Sequence, residues 1–71
     1  MLVKVNNVKL TRLRKEAGLS MHRLSIEAGL GKNAVQKMEN ENHKSSLIRV
    51  KAIAERLGVE YTALIITDTD A

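Results

Sequence analysis

The chain contains no cysteine, no proline, no phenylalanine and no tryptophan, and a single tyrosine. Without cysteine there is no disulfide brace, no thiolate chemistry and no Cys-based zinc site, which fits a reducing compartment. With one aromatic residue, the core has to be built from Leu, Val, Ile, Ala and Met. Such a core suits packed helices and leaves no stacking platform for single-stranded nucleic acid. No apolar run approaches the ~20 residues that span a bilayer. The opening segment, MLVKVNNVKL, has no signal-peptide core and no small-residue cleavage site. The reading is therefore a cytoplasmic protein without a membrane partner. His22 and His43 have no partners at metal-ligand spacing, so neither a metal nor a cofactor is expected.

What is present fits one small globular domain over residues 1–71. Hydrophobic residues make up 44% and charged residues 28%, which separates the chain from disordered compositions. The net charge is +4 and its distribution is uneven. Residues 1–40 hold eight Lys/Arg against three Asp/Glu, a balance of +5; residues 41–71 hold four against five, a balance of −1. An anionic partner would meet the first half.

Glycines at 18, 29, 31 and 58 divide the chain into helical pieces. Leu10, Leu13 and Ala17 form one stripe over Val8–Ala17, with Asn6 or Asn7 as cap and Gly18 as stop. Ser20 caps a second piece that turns Leu24 and Ala28 inward and stops at Gly29. A third runs from about Lys32 to Met38 or Glu39, with Val35 and Met38 inward. Residues 40–45 read as a polar loop. Ser45 or Ser46 caps a fourth helix whose stripe of Leu47, Val50, Ile53, Ala54 and Leu57 is the most regular in the chain. A short fifth helix is expected from about Glu60 to Ile66. The expectation is an all-α, five-helix domain, with an N-terminal arm over 1–6 and a frayed tail over 67–71. Met1–Val5 alternates weakly, a pattern open to a small strand or a loose arm.

Residues 20–39 carry the functional signal. Two short helices joined by a turn of about four residues need a small residue at their crossing, and Ser25 supplies it. Gly29 provides a residue free to take positive φ. Leu24, Ala28, Leu30, Val35 and Met38 are the apolar anchors. The lead-in R-x3-GLS from Arg14 to Ser20, the turn L-S-x-x-A-G-L, the close M-E-N and the later phrase I-A-E-R-L-G-V follow in order. In this order and spacing the chain resembles the Cro and phage-repressor type of helix-turn-helix, the xenobiotic-response-element family, over about Val8–Ile65.

The resemblance implies double-stranded DNA as partner, with the third helix in the major groove and the second across the backbone. On a helix, Lys32, Asn33, Gln36 and Lys37 share a face opposite Val35 and Met38. Lys can donate to guanine O6 and N7, and Asn or Gln can bond adenine N6 and N7, so these four are the base-reading candidates. Ser20, Met21 and His22 at the start of the second helix, and Asn40, Asn42, His43 and Lys44 after the third, are the candidates for phosphate contact. Asn40 fits a helix C-cap equally well. The resemblance also implies an ion pair between Arg14 and Glu39.

Three positions depart from the family pattern. Met21 stands where Gln is usual and cannot make its polar contact. Gly31 replaces the usual Ser or Thr cap of the recognition helix. Glu41 replaces a usual Gly beside the expected phosphate face.

One recognition helix covers only a half-site, so a homodimer on a roughly palindromic operator follows, with Tyr61, Ile65 and Ile66 as dimerisation candidates. The leading reading is a repressor. Other readings of the same fold are an antitoxin, a restriction–modification controller, or a module whose surface serves a protein partner. An enzyme is not expected: no nucleophile arrangement is present, the carboxylates are scattered, and Gly29-Leu30-Gly31-Lys32 lacks the strand and later glycine of a phosphate loop.

Overall fold

The computed structural model describes residues 2–40 and 44–66. Four α-helices are present: α1 (Asn7–Glu16), α2 (Met21–Glu27), α3 (Ala34–Glu39) and α4 (Leu47–Leu57). They are joined by three strands, β1 (Leu2–Val5), β2 (Lys44–Ser46) and β3 (Ile65–Ile66), with a single 3-10 turn over Tyr61–Leu64.

The expectation of an all-α domain with five helices is corrected here. The segment expected as a fifth helix makes one 3-10 turn and then runs extended. Ile65 and Ile66 are β-branched, a side-chain type that favours a pleated backbone. They find a partner in β1, with Val5 opposite Ile65 and Lys4 opposite Ile66. Part of the expected polar loop is also a strand: Lys44, Ser45 and Ser46 pair with Lys4, Val3 and Leu2. The N-terminal segment is thus the central strand of an antiparallel sheet ordered β2-β1-β3. Its alternation has a direct consequence. Val3 and Val5 turn toward the core, while Leu2 and Lys4 face outward. Met1 and the expected frayed tail, 67–71, lie outside the described residues.

All four helices, β1 and the 3-10 turn contribute to one core. Val5, Leu10, Leu24, Val35, Met38, Val50, Ile53, Ala54 and Leu64 are buried there. Three helices end in the same way. The N–H of Leu19, Leu30 or Val59 returns to a carbonyl five residues back, and the preceding glycine bonds three residues back. This is the Schellman arrangement, which satisfies carbonyls left open at the helix end. The residue after each glycine packs against the core. At Gly29, φ is +79°. A Cβ there would meet no neighbouring atom, so the demand for glycine comes from the backbone conformation alone.

The caps at the other ends are made by side chains. Asn6, Ser20 and Ser46 accept hydrogen bonds from the N–H of Lys9, Arg23 and Arg49. Helix α3 is different. Its N-cap residue, Asn33, makes no side-chain cap bond. Instead the fully buried Ser25 Oγ on α2 accepts from the Val35 N–H at 2.9 Å, and donates to the Met21 carbonyl at 2.8 Å. The small residue at the crossing is therefore also the cap of the neighbouring helix.

Glu27 links α2 to α4 on the outside. It accepts from Arg23 on its own helix and from Arg56 Nε at 2.6 Å. The hydrogen bond from Arg23, then that from Arg56, hold its carboxyl below the usual carboxylate range. A depressed acid stabilises the fold above its unfolded pKa and loses that contribution as pH falls through its folded value. Because Glu27 is exposed, the effect is small. Acid unfolding of Glu27→Gln, followed by circular dichroism, is expected to show a slightly shallower loss of stability below the carboxylate range. Ser25→Ala leaves the buried Val35 N–H without an acceptor, which is expected to cost about 1–3 kcal/mol in urea unfolding. Ser25→Thr, which restores a hydroxyl, would recover part of the cap.

Candidate nucleic-acid interface

A six-residue helix is too short to persist alone, since nucleation is costly and few hydrogen bonds follow it. Helix α3 is held from three directions. Ser25 caps its start. Val35 and Met38, both buried, bind its inner face to the core. At its end, Arg14 Nε donates to Glu39 Oε2 at 2.6 Å and Arg14 Nη2 to Oε1 at 3.3 Å. Thr11 Oγ1 donates to Glu39 Oε1 at 2.8 Å, and Asn7 Nδ2 reaches the Glu39 carbonyl at 3.4 Å. Asn7, Thr11 and Arg14 lie at i, i+4 and i+7, one face of α1. Arg14 also donates to the Leu19 carbonyl at 2.8 Å, just past the end of α1. Both side chains of the ion pair are only 10% exposed.

What remains free on α3 is its outer side. Gln36 and Lys37 are exposed there. Lys32 and Asn33 are exposed too, but they stand in the turn before the helix and not on it. The helix thus begins two residues later than the sequence suggests. An Ala34 N–H bond to the Gly31 carbonyl closes the turn, and the Ser25 hydroxyl accepts from the Val35 N–H in the first helical turn. Gly31 is accordingly not the cap.

The structure brings Lys32, Asn33 and Lys37 together around one cleft with Arg49 of α4. Among the described residues, none of these three cations pairs with a carboxylate. Arg49 was not singled out from the sequence. It sits in the first turn of α4, where helical period alone does not say which neighbour it faces. Thr11 and Asn7 were also missed, although their spacing with Arg14 is visible in the sequence.

The flanking candidates separate. Ser20, Met21 and His22 are exposed at the start of α2, with the Ser20 hydroxyl engaged as cap. Asn40 is the C-cap of α3. Lys44 lies on β2, exposed and directly opposite Lys4. Asn42 and His43, with Glu41, lie outside the described residues. Of the dimerisation candidates, Tyr61 and Ile65 pack partly against the core, and Ile66 is 40% exposed. Lys51 Nζ sits 4.9 Å from the Tyr61 ring centroid. No group of His, Asp or Glu among the described residues is arranged to hold a metal ion. No helix among them is long and apolar enough to cross a membrane.

A short helix wedged on a second, its outer side polar and ringed by cations, defines a helix-turn-helix domain. The helix-turn-helix family model matches residues 10–64, and the chain belongs to that family in its Cro/C1 form, a family of DNA-binding transcription regulators and not of enzymes. A crystal structure of SinR, described as the master regulator for biofilm formation and solved in complex with DNA, is similar in fold. Its TM-score is 0.71 at 24% identity, covering 79% of this chain and 90% of that one. No curated protein matches the chain.

Removing one partner of a buried ion pair leaves the other charge uncompensated, at about 3–5 kcal/mol. Glu39→Ala is therefore expected to remove a large part of the roughly 4–10 kcal/mol that a chain of this size has. Arg14→Met combined with Glu39→Leu, which removes both charges, should be more stable than Glu39→Ala by urea denaturation.

Proposed function

We propose that the chain is a cytoplasmic transcriptional repressor that binds a roughly palindromic double-stranded operator as a homodimer. The observation that carries this reading is the outer side of α3. Gln36 and Lys37 project from a helix fixed at both ends, and Lys32 and Asn33 extend the same surface from the preceding turn. Amide and ammonium groups of this kind read adenine and guanine edges in the major groove. Arg49, Lys44, Asn40 and the exposed start of α2 then serve the phosphates on either side, and set the register of the helix in the groove. Family membership supports DNA as the ligand, and the excess of positive charge in residues 1–40 supports it independently.

Selection of bound duplexes from a random pool tests the reading directly. Enrichment of a two-fold sequence is expected; a pool with no enrichment overturns it. On the selected site, Gln36→Ala is expected to relax the preference at one base pair, by about 1–3 kcal/mol of discrimination. Arg49→Ala should weaken all sequences alike and lower the slope of log affinity against log salt by about 0.9.

A further inference from the structure

We infer that a second copy of this chain docks on the open cleft between α4 and the 3-10 turn, through an antiparallel pairing of the two α4 helices about a two-fold axis. The inference rests on the homodimer of the preceding section and names its surface.

The cleft is lined by Ile48, Lys51, Ala52, Glu55, Val59 and Tyr61, among others. Ile48 is 80% exposed, the most exposed of the large apolar side chains among the described residues. It lies on one face with Ala52 and Glu55, at i, i+4 and i+7. Ala52 is small and allows a second backbone to approach. Lys51 and Glu55 make the face self-complementary. A two-fold axis crossing α4 level with residue 53 sets Lys51 opposite the partner's Glu55, and Glu55 opposite the partner's Lys51. Glu55 has no ion-pair partner of its own among the described residues. The same axis brings Ile48 level with the partner's Gly58 and Val59, at the apolar end of the opposing cleft. An isologous interface requires this reciprocity.

The position also suits the duplex. Half-sites one DNA turn apart are separated by about 34–36 Å, so each reading surface stands about 17 Å from the axis. Ile48 and Arg49 are consecutive, and one lines the apolar cleft while the other lines the basic one. Of Tyr61, Ile65 and Ile66, the first two are partly used by the core and Ile66 is exposed on β3; Tyr61 contributes here as one wall of the cleft.

Sedimentation equilibrium of the whole chain without DNA tests the surface apart from the DNA reading. A concentration-dependent dimer is expected. Ile48→Glu should raise its dissociation constant at least tenfold with an unchanged circular-dichroism spectrum. Lys51→Glu and Glu55→Lys should each weaken the dimer, and the two together should restore it. A wild-type chain that stays monomeric into the millimolar range overturns the proposal. So does an unchanged dissociation constant for Ile48→Glu, or a double exchange no tighter than either single one. If the dimer forms through this face but no duplex is enriched, the DNA reading fails and the interface stands. If a two-fold site is enriched but Ile48→Glu dimerises normally, the interface fails alone.

Discussion

The fold depends on keeping six residues helical that would not be helical by themselves. Helix α3 carries the proposed reading surface, yet its own backbone hydrogen bonds are too few to hold it. Its order is lent by neighbours: a hydroxyl from α2 at one end, a guanidinium and a hydroxyl from α1 at the other, and two apolar side chains beneath. These contacts lie on the inner side and at the ends, so none of them uses the side chains that face outward. Among the described residues, the Gln36 and Lys37 side chains enter no ion pair, which leaves them available to a ligand.

The charged pair in this arrangement is a positional device before it is an energetic one. Arg14 satisfies Glu39 on two oxygens and then turns to the Leu19 carbonyl, so it ties together the end of α3, the end of α1 and the approach to α2. A hydrophobic pair of similar volume could fill the same space, but it would carry none of the directed hydrogen bonds to Thr11 and to the Leu19 carbonyl.

Much of this was legible in the residues. The three glycine-plus-aliphatic steps at 18, 29 and 58 mark helix ends because the backbone demands it there. The stripe of α4 shows its inner face directly. The resemblance to Cro-type regulators came from ordered short phrases between Arg14 and Val59, and the match over residues 10–64 agrees with it. What was not legible was the sheet. Its strands are two to four residues long and far apart in sequence, so no periodic signal links Lys44–Ser46 or Ile65–Ile66 to Leu2–Val5. Strands β1 and β3 also lie beyond the ends of that match. The start of α3 was misplaced for a related reason: its cap comes from Ser25, ten positions earlier, and local capping rules look only at adjacent residues.

The sheet has one feature that runs against its own stability. Lys4 and Lys44 stand directly opposite on the outward face, and like charges so placed repel. Added electrolyte screens that repulsion and eases strand pairing, while the same ions compete with a cationic surface for a polyanion. Ionic strength therefore pulls the two properties of the molecule in opposite directions. A brine that firms the sheet loosens the grip on nucleic acid, and a dilute buffer does the reverse.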